Sequence, residues 1–88
     1  MIPEIVDLLL LVKRDNVSRE DILAAKDLLI DVGLDSLEII EFLISLEQKF
    51  EIFIDFDAFD LNSLSTLTRV EAYVNERRSI AGSLPVSS

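Results

Sequence analysis

Residues 31–50 read DVGLDSLEIIEFLISLEQKF and hold the clearest helix signal in the 88-residue chain. Asp35 suits the N-cap position of a helix, and Glu38 follows at the three-residue spacing of a capping box. Apolar residues then recur along one helical face, at Ile39, Leu43, Leu46 and Phe50. This spacing predicts a helix that begins at residue 36 and packs that face into a hydrophobic core.

A helix and a long connection are predicted before this stretch. Pro3 suits the first turn of a helix. The apolar stripe of this first helix comprises Ile5, Leu8, Leu9 and Val12. Ser18 is the expected cap of a short helical turn within a connection that ends at Gly33. A connection of this length is uncommon in a compact domain and often has a function.

A linker and a last helix are predicted after it. Residues 50–59 are rich in aromatic and β-branched residues, and the alternation of Ile52 and Ile54 would by itself suggest a strand. A lone strand, however, has no partner to pair with. We therefore expect an extended linker that leads into a short turn or helix. Ser65 or Thr66 is the expected cap of the last helix, with Arg77 and Arg78 at its C-terminal end, where the helix dipole favours cations.

These elements predict an all-α fold, a small four-helix bundle with three main helices, one short helix and a long first connection. The length supports one domain, for which we expect residues 1–80. Residues 81–88 are expected to form a flexible tail. No apolar run approaches the roughly 20 residues that span a bilayer. No basic residue precedes the first apolar stretch, as a secretory signal would require. The expected location is therefore the cytoplasm.

The composition excludes several functions. Eight Lys and Arg stand against 17 Asp and Glu, which gives a net charge of −9. This charge opposes binding to nucleic acid or to an anionic membrane and favours a partner with basic residues. The chain contains no His and no Cys, so imidazole catalysis, thiolate chemistry and zinc sites built on these residues are excluded. We expect no catalytic residue, no metal site and no enzyme activity.

Ser36 is the most informative hydroxyl. If Asp35 is the cap, Ser36 is the first residue of the helix, and its side chain lies at the surface. The unpaired N–H groups and the positive dipole end of the helix surround it, so a phosphate ester there is electrostatically favoured. Leu37 is expected to be exposed, with Glu38 and Glu41 on the solvent side.

The motif Gly33-x-Asp35-Ser36-Leu37, followed by Leu46-Glu47-x-x-Phe50-x-Ile52, resembles the acyl carrier protein family. The resemblance runs from about residue 27 to residue 76. It implies that Ser36 carries 4′-phosphopantetheine, which a separate phosphopantetheinyl transferase takes from coenzyme A. The thiol of this arm would hold an acyl or aminoacyl group as a thioester. A loading ligase and downstream transferases or synthases would then be the partners of a monomeric carrier.

The acidic residues cluster near this serine. Residues 35–60 contain eight acids and one base, a net charge of −7 out of the total of −9. Enzymes that act on carriers of the resembled family present basic patches to the second helix. By this analogy the expected contact residues are Asp35, Leu37, Glu38 and Glu41. Such contacts are transient and salt-sensitive.

Departures from the family pattern bear on the cargo. Asp55 stands where many members have Pro, and the segment that follows is longer than in typical fatty-acid carriers. In the family the acyl chain lies between the second and third helices, and Phe53, Phe56 and Phe59 are expected to fill that space. The hypothesis is a specialised carrier that a dedicated ligase loads with a short acyl or aminoacyl group.

Alternative interpretations remain open at this stage. Ser36 is also compatible with an ordinary helix start in an acidic helical adaptor that binds a basic protein without being modified. A calcium loop that begins at Asp55 fails in detail, because Asp60 and Thr66 occupy the positions of its Gly and bidentate Glu. No glycine-rich oxyanion turn supports a hydrolase.

Overall fold

Four α-helices and two short irregular helices make up the part of the chain that the structure, a computed structural model, describes: residues 1–14 and 16–83. The α-helices are α1 (Ile2–Val12), α2 (Arg19–Ala24), α3 (Ser36–Phe50) and α4 (Leu67–Ser83). A π-helical turn covers Leu28–Gly33, and a 3₁₀ helix covers Leu61–Leu64. No strand occurs in these described ranges, and the predicted all-α bundle is confirmed.

Helix α1 places one face against α3 and α4. Ile5, Val6 and Leu9 are completely buried, whereas Leu8, which the sequence stripe included, is only partly buried. The inward face is therefore centred closer to Val6 than the stripe predicted. The helix ends where Arg14 adopts a left-handed conformation, with φ of 54°.

The connection from α1 to α3 is held by carboxylates that accept backbone N–H groups. Ser18 and Asp21 form a reciprocal capping box at the start of α2, which confirms Ser18 as the cap. Further along, the Asp27 carboxylate accepts the N–H of Leu29 at 2.9 Å. The Asp31 carboxylate accepts the N–H of Lys26 at 2.8 Å. These bonds give the segment before α3 a defined course although it has no clear helical period.

Helix α3 buries a wider face than its stripe predicted. Leu43 and Leu46 are buried as expected, and Phe42, which lay outside the stripe, is completely buried. The helix ends at Phe50, and its C-cap Glu51 has a left-handed conformation with φ of 54°. The Glu47 carboxylate then accepts the N–H of Ile54 at 2.8 Å, which ties the following chain to the last turns of the helix.

The chain after α3 is extended, as predicted, and leads into the 3₁₀ helix. Ile52 and Ile54 face the core, so the alternation of an extended chain turns Phe53 outwards, where 69% of its surface is exposed. The Arg77 Nε group donates to the Phe53 carbonyl at 2.9 Å and attaches this segment to α4. The segment returns towards the connection before α3, because the N–H of Leu28 donates to the carbonyl of Ser65 at 2.8 Å.

Helix α4 begins after Thr66, whose hydroxyl accepts the N–H of Arg69 at 3.0 Å, so Thr66 is the cap and Ser65 is not. The helix runs to Ser83, and Arg77 and Arg78 therefore lie before its last turn rather than at its end. The expected domain boundary at residue 80 falls inside this helix. Residues 84–88 of the expected flexible tail lie outside the described residues.

Apolar side chains of all four helices meet in one core, and no polar or charged residue is buried among the described residues. At its edge, Phe59 meets Tyr73 edge-to-face with ring centroids 5.1 Å apart. Burial raises the pKa of Tyr73, and the nearby Arg77 charge partly opposes this shift. Within residues 1–14 and 16–83, no helix is long and apolar enough to cross a membrane.

Candidate functional site

Ser36 is the first residue of α3, and it is exposed to solvent. Asp35 is the N-cap, with extended φ and ψ of −85° and 177°, and its carboxylate accepts the N–H of Glu38 at 2.8 Å. The Glu38 carboxylate in turn accepts the N–H of Asp35 at 3.1 Å. The predicted capping box is therefore confirmed, and it encloses the backbone on both sides of Ser36.

Gly33 sets the direction in which the chain enters this helix. Its φ of 78° lies in the left-handed region, which side chains with a Cβ atom rarely adopt. A Cβ atom at this position would meet no heavy atom within 4 Å. The glycine is therefore required by the backbone conformation and not by lack of space. It ends the π-helical turn two residues before the N-cap.

Lys13 is a part of the site that sequence reasoning missed. Its Nζ group donates to the Gly33 carbonyl at 2.9 Å and to Glu38 Oε1 at 3.0 Å. The exposed fractions of the Lys13 and Glu38 side chains are only 13% and 20%. The two acceptors lie 20 and 25 residues away along the chain, so no local spacing connects them with Lys13.

Glu38 and Glu41 do not have equivalent surroundings. Both were expected on the solvent side, but the Glu38 carboxylate is held by the Asp35 N–H and the Lys13 ammonium. Both side chains are half-buried, and the Glu38 carboxylate is in addition engaged within the chain. Glu41 is half-buried, and its carboxylate takes part in none of the hydrogen bonds or ion pairs between described residues. Of these two carboxylates, Glu41 retains the capacity to pair with a partner's base.

The outer face of α3 continues from Ser36 as an apolar stripe. Leu37 is 64% exposed, as expected, and Ile40 and Ile44 are 44% and 41% exposed. These residues follow each other at three- and four-residue spacings, so they share one side of the helix. Glu41 lies next to the stripe. Sequence reasoning did not single out Ile40 and Ile44, although the same helical period that placed Ile39 and Leu43 inside places them outside.

Three phenylalanines were expected to fill the space between the second and third helices, and this expectation was wrong for Phe53 and Phe56. Phe53 and Phe56 are 69% and 40% exposed, and only Phe59 packs partly against the core. The interior is occupied instead by aliphatic side chains and by Phe42. The core residues whose exposed fraction is at most 2% include Phe42, Leu46, Ile54 and Leu64.

The acidic residues of residues 35–60 are spread along the surface and do not converge on one point. In the described part of the chain, no group of three or more carboxylates, His or Cys is arranged to hold a metal ion. The Asp55 carboxylate accepts the N–H of Asp57, and the Asp60 carboxylate accepts the N–H of Asn62. These acids organise turns, which is a common use of aspartate before a helix.

Comparison with known proteins agrees with this architecture. A family model described as the phosphopantetheine attachment site matches residues 8–74, well over half of the chain. The chain therefore belongs to the family of phosphopantetheine attachment-site domains, and the resemblance to acyl carrier proteins is confirmed. The cofactor of this family is covalent 4′-phosphopantetheine. Searches of the curated proteins and of the solved structures found no match.

The different surroundings of Glu38 and Glu41 predict different effects on stability. Replacement Glu38→Gln keeps an amide that can complete the capping box but removes the charge beside Lys13. Because the side chains of Lys13 and Glu38 are only 13% and 20% exposed, we expect Glu38→Gln to lower the free energy of unfolding by about 1 kcal/mol. Urea unfolding followed by circular dichroism measures it. The control Glu41→Gln makes the same charge change, and an equal loss in both variants would contradict the assignment.

Proposed function

We propose that the chain is a carrier protein in which the Ser36 hydroxyl is the attachment point of 4′-phosphopantetheine. The observation that carries this proposal is a comparison of the serines within the matched residues 8–74. The hydroxyls of Ser18, Ser45 and Ser65 make hydrogen bonds to the backbone, and Ser63 is half-buried. Ser36 is exposed, and its hydroxyl takes part in none of the hydrogen bonds between described residues.

The surroundings of Ser36 suit a phosphodiester. The first turn of α3 supplies unpaired backbone N–H groups and the positive end of the helix dipole. In the attachment reaction, a bond forms between Ser36 Oγ and the β-phosphorus of coenzyme A. The bond from that phosphorus to the bridging oxygen breaks, adenosine 3′,5′-bisphosphate leaves, and the serine proton passes to a base of the transferase. Once attached, the arm supplies a thiol that holds the cargo as a thioester.

The carrier would not catalyse a reaction itself. The chain has no His and no Cys, so the thiol of the arm would be its only one. Reactions of the cargo would take place in the active sites of a loading ligase and of downstream transferases or synthases. We propose that the carrier works as a monomer in the cytoplasm, where coenzyme A is available to the transferase.

Attachment at Ser36 predicts a gain in intact mass. Incubation with coenzyme A and a broad-specificity phosphopantetheinyl transferase is expected to add the mass of one arm, which mass spectrometry detects. The variant Ser36→Ala is expected to gain nothing. The control Ser79→Ala, which changes an exposed serine of α4, is expected to gain the arm like the wild type. An unchanged wild-type mass would contradict the proposal and favour the unmodified acidic adaptor.

The outer face of α3 is the proposed docking surface for these enzymes. Among the expected contact residues Asp35, Leu37, Glu38 and Glu41, two are best placed for direct contact. Leu37 offers exposed apolar surface, and the Glu41 carboxylate is not held by another described residue. Asp35 contributes negative potential while it caps the helix, whereas the charge of Glu38 is offset by the Lys13 ammonium. A partner with an apolar pocket and a basic rim fits this arrangement.

Loss of the Glu41 charge is expected to weaken docking without affecting the fold. For the same transferase, Glu41→Gln should raise the KM for the carrier about twofold to fivefold, because one solvent-accessible ion pair is lost. The effect should shrink as salt is added. Glu20→Gln removes an exposed charge from α2 and serves as the control. Equal KM values for the two variants would contradict docking through Glu41.

We further propose that the cargo is a short acyl or aminoacyl group. The support comes from the closely packed core, and not from Phe53 and Phe56. Phe42, Leu46, Ile54 and Leu64 occupy it with at most 2% exposure. A long acyl chain would have to displace these packed side chains, which carries a substantial free-energy cost. A short group at the end of the arm requires no such opening.

Comparison of loaded forms tests the cargo size. Acetyl-loaded and long-chain-loaded carriers are expected to unfold at nearly the same temperature, because a chain that stays outside the core adds no buried area. Thermal unfolding followed by circular dichroism measures this. A cavity variant, Leu46→Ala, provides the positive control, since the space it opens can accept a chain and gain stability from it. Marked stabilisation of the wild type by the long chain would contradict the proposal.

A further inference from the structure

Lys13 connects the end of α1 with the backbone on both sides of Ser36. Its ammonium group donates to the Gly33 carbonyl, three residues before the serine, at 2.9 Å. It also donates to Glu38 Oε1, two residues after the serine, at 3.0 Å. The same carboxylate oxygen accepts the N–H of Asp35 at 3.1 Å. One side chain from a distant helix therefore links the glycine, the N-cap and the first turn of α3.

The burial of this contact distinguishes it from an ordinary surface ion pair. Exposed pairs contribute little, because solvent screens them and long side chains lose entropy when they pair. The Lys13 side chain is only 13% exposed and Glu38 only 20%. Hydrogen bonds to a charged donor are stronger than neutral ones, and two of the three ammonium protons are engaged here. The contact therefore holds the two ends of the Gly33–Glu38 segment in one arrangement.

The held segment begins at a glycine, the residue with the greatest backbone freedom. Gly33 has no side chain to restrict its backbone, and it occupies a left-handed conformation with open space around it. Rotation at Gly33 would move the N-cap and Ser36 together relative to α1. The Lys13 bond to the Gly33 carbonyl opposes this rotation directly. The bond to Glu38 opposes unwinding of the first turn of α3.

We propose that Lys13 is a positioning residue for the transfer of phosphopantetheine to Ser36. This inference rests on the proposed function of Ser36. Lys13 acts through Gly33 and Glu38 and keeps the serine hydroxyl at a fixed place and direction on the docking surface. A transferase docked on α3 then meets a correctly placed nucleophile. Misplacement of a reacting atom by about 1 Å can lower a rate by about 100-fold.

Steady-state kinetics of arm transfer separate positioning from docking. The variant Lys13→Met keeps the aliphatic stem and removes the ammonium group, and we expect its kcat to fall at least about tenfold. KM should change much less, because the exposed docking residues remain. Lys26→Met makes the same charge change at an exposed lysine of the connection and is the matched control. Lys13→Arg, which can donate to both acceptors, is expected to recover most of the rate.

A second measurement does not depend on arm transfer. Amide hydrogen exchange of residues 33–38 in the unmodified protein should be faster in Lys13→Met than in Lys26→Met. The assay is run well below the unfolding temperature of each variant, so that unfolded protein does not account for the difference. In the double variant Lys13→Met with Glu38→Gln, the increase in the exchange of residues 33–38 should be smaller than the two single increases added together. Both substitutions remove the same contact, so their effects are not independent.

Failure of the Lys13 role and failure of the Ser36 proposal give different results. A kcat for Lys13→Met within twofold of the Lys26→Met value would overturn the positioning role, and so would an effect confined to KM. Unchanged exchange of residues 33–38 would overturn it too. If the wild type gains the arm and Lys13→Met transfers it normally, only this inference fails. If the wild type gains no arm at Ser36, the proposed function fails and this inference fails with it.

Discussion

The capping box between Asp35 and Glu38 is the constraint on which the rest of the site depends. It determines the residue at which α3 begins, and the start of a helix fixes the direction of every side chain that follows. With this start, Phe42, Leu43 and Leu46 point into the core, while Leu37, Ile40 and Ile44 point to solvent. The same start makes Ser36 the first helical residue, where its hydroxyl is accessible and the helix dipole favours a phosphate. A helix that began one turn later would leave Ser36 outside it, while the later turns would keep the same core face.

The charged side chains lie outside the hydrophobic core, so no charge in the described residues has to be buried in it. All 17 acidic residues avoid full burial wherever their side chains are described, and many accept backbone N–H groups at turns and helix starts. Asp27, Asp31 and Asp60 stabilise the irregular connections in this way. The acidic residues that give the surface its negative charge therefore also build the irregular connections. Lys13 neutralises one of these acids at the point where the chain enters α3.

The fold was largely predictable because its signals are local. The caps at Ser18 and Asp35 and the end of the connection at Gly33 each depend on residues a few positions apart, and the structure has them where the sequence predicts. The prediction was less accurate where one helix face had to be chosen among many apolar residues. Val6 is buried more deeply than Leu8, and Phe42 joins the core beside Leu43. In chains this rich in apolar residues, several stripes satisfy the helical period, and only packing against the other helices selects one.

The amino-acid sequence was sufficient to establish the class of fold, the start of α3, the serine at its first position and the net negative charge of the chain. These features follow from short-range spacing, side-chain chemistry and net charge. The tertiary structure alone decided which groups from distant parts of the chain meet. It brought Lys13 to Gly33 and Glu38, attached the Phe53 backbone to Arg77, and turned Phe53 and Phe56 out of the interior that they were expected to fill. Contacts between residues 20 or more positions apart arise from helix packing, and no local pattern specifies them.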